Sequence, residues 1–208
     1  MNPIRKPFRY RYDNTALYLI GINILVYVMQ RINPSLTSYL ALNPVNIIRH
    51  HFYWQFVTYM FAHGGLSHIL FNMLALFMFG AQVERRMGSR EFLVYYMSAG
   101  ILAGVLSFVI YWVTGAYGVF LLGASGALFA VQLAYATLFP DAVIYLWGLL
   151  PLKAPVMVLG FTALELFSSV TGFRSGVAHL THLAGFAFGW VYFLVRFGAN
   201  PWKYLRGK

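Results

Sequence analysis

Long apolar runs, separated by short polar or charged breaks, dominate the chain from near its start to near its end. A helix needs about 20 mainly apolar residues to cross a bilayer, and these runs approach that length. We predict six membrane-spanning helices, at about residues 16–30, 66–83, 92–113, 122–139, up to 169, and 177–196. The start of the fifth helix is left open, because residues 140–155 fit a loop, an interfacial turn or the beginning of the helix.

Residues 31–65 break this pattern. The segment is rich in aromatic residues but contains two Asn-Pro pairs, His50-His51 and Gly64-Gly65. It is too long for a connecting turn and too apolar for a solvated linker. We therefore expect a large first outer loop that lies partly in the membrane interface as short helices.

The composition excludes a soluble domain. Of the 208 residues, 60% are hydrophobic and only 10% are charged, whereas a soluble domain of this size carries far more charge. The lack of cysteine excludes disulfides and thiolate metal sites. We predict an all-α fold in one polytopic membrane domain over residues 1–208. Its core is 16–196, and its basic cytoplasmic flanks are 1–15 and 197–208.

The net charge of +10 does not indicate nucleic-acid binding, because the basic residues lie in short clusters between apolar segments. Such clusters mark the cytoplasmic side of a membrane. With both termini on that side, the outer loops hold mainly Arg49 and Arg174. The second, fourth and sixth spans then all run inward from the outer side.

Three polar clusters begin these same three spans: "SHILFN", "GASG" and "AHLTHLAGFAFG". Polar side chains inside a membrane are costly and are therefore functional candidates. In the second span, His68 and Asn72 share one helix face. Their two donors can converge on one oxygen, although hydrogen bonds to neighbouring helices would explain them equally well.

The fourth span begins with Ser125 between Gly123 and Gly126. Glycines at such spacing usually serve close helix packing. The position also suits chemistry, since the first N–H groups of a helix are unpaired and stabilise a developing oxyanion.

In the sixth span, His182, Gly185 and Gly189 form one stripe, while His179 falls on another face. If the fourth and sixth helices meet through their glycines, Ser125 and His182 become neighbours, a nucleophile with its base. His179 is assigned a structural or interfacial role.

A third catalytic member has one candidate among the five acids. Glu165 is predicted near the outer end of the fifth span, whereas the other acids lie near the cytoplasmic face: Asp13, Glu84, Glu91 and Asp141. A single glutamate near an interface is more often solvated or paired. We therefore favour a Ser-His pair without a carboxylate.

The combination of "HILFN" in the second span, GxSG in the fourth and HxxGxxxG in the sixth resembles the rhomboid intramembrane serine proteases. The resemblance extends over about residues 16–196. It implies a six-helix bundle, with Ser125 as nucleophile and His182 as general base and then acid. It further implies an oxyanion hole of His68, Asn72 and the Ser125 backbone N–H, without metal or cofactor.

Two positions depart from the common pattern of that family. Gln55 follows Trp54 where many members have arginine, which we interpret as a change in loop packing. Phe129 replaces a tyrosine that stacks beneath the catalytic histidine, and its ring should still support His182. His63 matches a loop histidine and is expected to be structural.

The leading hypothesis is an intramembrane serine endopeptidase that cleaves the transmembrane segments of other proteins, with no nucleic-acid partner. By the resemblance, the outer loop and fifth span border the substrate's entry route. The alternatives are an inactive rhomboid-like protein that binds transmembrane segments and a small transporter. The transporter would show inverted repeats and broken helices, which the sequence lacks. We expect a prokaryotic plasma membrane, since no leader precedes the first span.

Overall fold

The computed structural model describes residues 5–6, 8–146, 148–171 and 177–206. Arg174, used above to orient the chain, lies outside these residues. Within them, five helices are long and apolar enough to cross a membrane. These spans are Thr15–Ile32, Leu66–Met87, Ser89–Thr114, Ala154–Thr171 and His179–Phe197. The chain is thus a polytopic helical membrane protein.

The helices are numbered here in chain order. They are α1 (Thr15–Ile32), α2 (Ser35–Leu40), α3 (Pro44–His50), α4 (Gln55–Thr58), α5 (Leu66–Ala75), α6 (Ala81–Met87), α7 (Ser89–Thr114), α8 (Ser125–Leu138), α9 (Ala154–Thr171), α10 (Val177–Tyr192) and α11 (Trp202–Leu205). One π-helical segment, Leu76–Gly80, joins α5 to α6, and another, Phe193–Phe197, extends α10.

The fourth predicted span is shorter than expected. Helix α8 has 14 residues, about 21 Å at 1.5 Å per residue, whereas the hydrocarbon layer is about 30 Å thick. Most of its side chains are buried, because it packs against α7, α9 and α10. Protein therefore surrounds this helix.

The first outer loop folds into short helices, as its sequence predicts. Between α1 and α5 lie α2, α3, α4 and one 3₁₀ turn, Tyr59–Phe61. Leu42 and Leu121 pair through two backbone hydrogen bonds of 2.9 Å. This pairing ties the loop to the segment that leads into α8.

Residues 140–155, left open by the sequence, contain a β-hairpin. Strands β1 (Val143–Leu146) and β2 (Leu150–Lys153) are antiparallel, with Val143 opposite Lys153. The fifth span begins directly afterwards, at Ala154. The hairpin thus forms most of the connection between α8 and α9.

Two buried carboxylates, Glu84 and Glu91, stabilise helix ends on the side of the bundle opposite Ser125. Glu84, fully buried, accepts hydrogen bonds from the backbone N–H of Thr15 (2.6 Å) and Ala16 (2.9 Å). These donors belong to the first turn of α1, which lacks acceptors within the helix. Glu91 of α7 binds Arg196 through two hydrogen bonds, of 2.7 and 2.8 Å.

Candidate active site

Ser125 is the first residue of α8, where the chain turns from an extended segment into a helix. The backbone N–H of Gly123 donates to the carbonyl of Tyr59 at 2.9 Å, which anchors this turn to the outer loop. Because the first turn of a helix has no internal acceptors, the N–H groups that follow the turn remain open to an anion.

Helices α8 and α10 approach closely through two glycines. A Cβ built on Gly185 would lie 1.8 Å from the carbonyl oxygen of Gly126. One turn further along α10, a Cβ on Gly189 would lie 2.8 Å from Cβ of Ala130. Only glycine permits this backbone contact.

The close approach brings together the two side chains of the predicted dyad. Nε2 of His182 lies 2.7 Å from Oγ of Ser125, the length of a good hydrogen bond. A second contact fixes α10 against α7, since the hydroxyls of Thr181 and Ser107 lie 2.7 Å apart.

Phe129 lies one turn along α8 from Ser125 and stacks on His182. The ring centroids are 4.7 Å apart and the planes differ by 8°. Such stacking restrains the imidazole plane. The contact is the one predicted for phenylalanine at this position.

His68 and Asn72 face Ser125 across a cavity of about 330 Å³. Its lining residues are Ser67, His68, Phe71, Asn72, Ala75, Ser125, Leu128, Phe129 and Gln132. The amide of Asn72 donates to the backbone carbonyl of His68 at 2.7 Å. Two polar side chains of α5 and the start of α8 therefore border one space.

Gly123 does not belong to the contact between α8 and α10, contrary to the sequence prediction. It lies before α8 with φ +117°, and a Cβ there would lie 2.7 Å from the His68 ring. Its missing side chain therefore makes room for His68 of α5. The positive φ independently favours glycine.

Glu165 and His179 enter the site, which the sequence did not predict. Oε1 of Glu165 lies 3.1 Å from Nδ1 of His182, and Oε2 contacts Nδ1 of His179. The contact with His182 has ion-pair distance without the alignment of a hydrogen bond. The two histidines lie on the same turn of α10, three residues apart. Together with the single acid near this end of the bundle, that spacing is the signal that could have identified the cluster.

Among the described residues, these three are the candidate for metal binding, since their ligand atoms lie within 4.8 Å of one another. The carboxylate oxygens already contact both imidazoles directly. A carboxylate shared between two imidazoles accounts for this arrangement without an ion.

Two loop residues singled out by the sequence, Gln55 and His63, are buried. Gln55 is fully buried and donates to the carbonyls of Ser38 and Tyr39, both at 3.1 Å. It therefore joins α4 to the region of Ser38 and Tyr39 in the same loop.

Burial and the nearby His68 lower the pKa of His63 to about 4. Its backbone N–H donates to Gln30 at 3.0 Å.

Comparisons with known proteins agree on one family. A family model described as the Rhomboid domain matches residues 50–199. The mitochondrial presenilin-associated rhomboid-like protein of Homo sapiens is 30% identical over 184 residues, which cover 85% of this chain and 47% of that protein. The rhomboid protease GluP of Bacillus subtilis is 35% identical over 133 residues, covering 60% and 26% of the two chains.

A putative rhomboid protease of Bacillus subtilis, YdcA, is 29% identical over 141 residues, covering 67% of this chain and 65% of its own. The chain spans about half the length of the mitochondrial relative. The matched region includes the start of α8 and all of α10. This multi-pass membrane protein belongs to the rhomboid family.

Proposed function

We propose that the protein is an intramembrane serine endopeptidase that hydrolyses peptide bonds in or near the transmembrane segments of other membrane proteins. The observation that supports this most directly is the 2.7 Å contact between Ser125 Oγ and His182 Nε2 beside an open cavity. A hydroxyl beside an imidazole is a nucleophile with its base.

In the proposed reaction, Ser125 Oγ attacks the substrate carbonyl carbon while its proton moves to His182 Nε2. The carbonyl oxygen becomes an oxyanion within reach of His68, Asn72 and the backbone N–H of Ser125. Donors placed where negative charge develops lower the barrier. The imidazolium then gives its proton to the leaving amine, the C–N bond breaks, and an acyl-serine remains.

Water completes the cycle. It attacks the acyl-serine carbonyl and gives a proton to His182, which returns that proton to Ser125 as the ester bond breaks. The cavity beside α5 that Ser125 lines is the proposed route for this water. None of these steps requires a cofactor.

The proposed orientation places both termini on the cytoplasmic side and the Ser125 end of α8 toward the outer side. The distribution of lysine and arginine supports it. The membrane is proposed to be a prokaryotic plasma membrane; two of the relatives come from Bacillus subtilis, whereas the presenilin-associated rhomboid-like relatives are named as mitochondrial.

The test is covalent labelling of the detergent-purified protein with a fluorescent fluorophosphonate, a serine-directed probe. The wild type should label, Ser125→Ala should not, and His182→Ala should label far more slowly. Ser67→Ala is the matched control, because Ser67 lines the same cavity, and it should label like the wild type. Equal labelling of all four proteins, or none of the wild type, would contradict the proposal.

A further inference from the structure

Glu165 projects from α9 toward two imidazoles of α10. Its side chain is 19% exposed, and those of His179 and His182 are 15% and 17% exposed. All three groups are thus largely withdrawn from solvent. A carboxylate in such a place needs positive or hydrogen-bonding partners.

The two oxygens of Glu165 have separate partners. Oε2 contacts His179, while Oε1 lies 3.1 Å from Nδ1 of His182. His179 therefore holds the carboxylate so that its other oxygen faces the dyad. The contacts therefore form a line that runs from Ser125 through Nε2 and Nδ1 of His182 to Glu165.

Nδ1 of His182 is buried and has no aligned hydrogen-bond acceptor among the described residues. Neutral His182 must carry its proton on Nδ1 if Nε2 is to accept the proton of Ser125. A carboxylate beside Nδ1 favours that tautomer. It also stabilises the imidazolium that forms during attack.

We propose that Glu165, held by His179, is a positioning residue that completes a Ser125–His182–Glu165 triad. This inference rests on the proposed function. When Ser125 gives its proton to Nε2, the Nδ1–H of the imidazolium turns to Oε1 and the contact becomes an aligned hydrogen bond. No proton passes to Glu165. Hydrogen bonds of catalytic groups are often poorly aligned in unliganded structures and tighten as the reaction proceeds.

Other groups also act on His182. From its own helix, His179 lies with its ring centroid 6.5 Å away. From α5, His68 is a second imidazole within electrostatic range. From α8, Ser125 and the uncharged Phe129 contact the ring. Among the described groups that face His182, Glu165 is therefore the one that contributes negative charge.

The decisive variant is Glu165→Gln, which keeps the size of the side chain and removes its charge. Proteolysis of a transmembrane peptide is measured in detergent from pH 5 to 9. We expect kcat to fall about tenfold or more with KM unchanged, since an adjacent opposite charge changes proton binding by that order.

Asp141→Asn is the matched control. It makes the same carboxylate-to-amide change at an exposed residue paired with Lys153 at 3.4 Å, and its profile should equal that of the wild type. His179→Ala keeps the Glu165 carboxylate but removes the group that holds it, so its kcat should lie between those of the wild type and Glu165→Gln.

Two results would overturn the triad. One is a kcat for Glu165→Gln equal to that of the wild type, and the other is a change confined to KM with kcat unchanged, which indicates a structural role alone. Both leave Ser125 labelled by the fluorophosphonate. Failure of the proposed function is distinct, because the wild type itself would then neither label nor cleave.

Discussion

Helix α10 meets α8 and α9 through contacts of different kinds. Against α8 it meets backbone to backbone at Gly126 and Gly185. Against α9 it meets through the polar cluster around Glu165. Steric packing of glycines fixes the first contact, whereas the second depends on where a long side chain reaches.

Helix α9 is also less enclosed than α8. Its buried residues are confined to its first turns: Ala154, Pro155, Met157 and Val158. Further along, Leu164 and Phe167 are each 61% exposed and Val170 is 78% exposed. The distance between Ser125 and His182 is therefore set by packing, whereas the environment of Nδ1 of His182 is set by a helix with few buried residues near the site.

The largest effect on proteolysis is expected from closing the glycine contact. In Gly185→Ala the new methyl group would overlap the backbone of Gly126, so α10 must shift away from α8. A displacement of about 1 Å between reacting groups costs about a hundredfold in rate. We expect that loss in kcat/KM for a transmembrane peptide and in the rate of fluorophosphonate labelling.

Glycines elsewhere supply the controls for this substitution. Gly160→Ala changes α9 at a position with no atom within 4 Å and should retain wild-type activity. Gly126→Ala places a methyl group 3.2 Å from Thr181. Its kcat/KM should lie between those of Gly185→Ala and Gly160→Ala. Three equal rates would refute the view that glycine packing sets the dyad. The graded series keeps the test decisive even if Gly185→Ala fails to fold.

A smaller effect is expected from the ring beneath His182. Phe129→Leu removes the parallel stack but keeps an apolar side chain of similar size. Aromatic pairs contribute about 0.5–1.5 kcal/mol beyond burial, so kcat/KM should fall by about tenfold at most. Phe129→Tyr preserves the ring and should match the wild type. If Phe129→Leu and the wild type have equal kcat/KM, the ring stack is not needed and the contact between α8 and α10 orients His182 by itself.

The same contrast explains what the sequence could predict. Gly185, Gly189 and His182 lie on one helix, and the regular geometry of a helix is enough to fix their common face. Gly123 was placed wrongly because it precedes α8, where helical spacing does not apply. Glu165 and His179 lie on different helices, and no periodicity gives the relative rotation of two helices.

The hairpin between α8 and α9 escaped prediction for a related reason. Its residues, 143–153, are almost uniformly apolar, so they show neither the helical nor the strand period. The six helices were predictable because each forms a long apolar run. Their boundaries agreed within a few residues, except that α8 is shorter than a span, which depends on its neighbours.

At its other end α10 is held by a third contact, whose loss should affect stability and leave catalysis unchanged. Glu91 binds Arg196 with both oxygens and accepts from Tyr192 at 2.6 Å. Breaking a buried ion pair costs about 3 kcal/mol. Glu91→Gln should lower the free energy of unfolding by about that amount, with kcat/KM of the folded protein unchanged.

Thermal unfolding in detergent, read by circular dichroism, measures the effect of Glu91→Gln. Asp141→Asn breaks an exposed pair instead and should cost less than about 1 kcal/mol. If Glu91→Gln lowers the kcat/KM of the folded protein as well as its free energy of unfolding, the two ends of α10 are not independent.

The smallest effect at neutral pH is expected from His63 of the outer loop, which packs against His68 of α5 with ring centroids 5.1 Å apart. Burial lowers the pKa of His63 from 6.5 to about 4, so the folded protein keeps it neutral where the unfolded chain protonates it. Stability is therefore unaffected above about pH 6.5 and falls as the pH drops toward 4. The loss should reach about 3 kcal/mol.

His63→Asn should unfold with a weaker pH dependence than the wild type between pH 7 and 4.5, in the same thermal measurement. His51, an exposed loop histidine, provides the control His51→Asn, whose pH dependence should equal that of the wild type. Parallel curves for all three proteins would mean that another group is responsible for acid sensitivity. A weaker dependence in His63→Asn alone would mean that the packing beside His68 requires His63 to be neutral, whereas the proposed role of Glu165 on the α9 side requires a charged carboxylate.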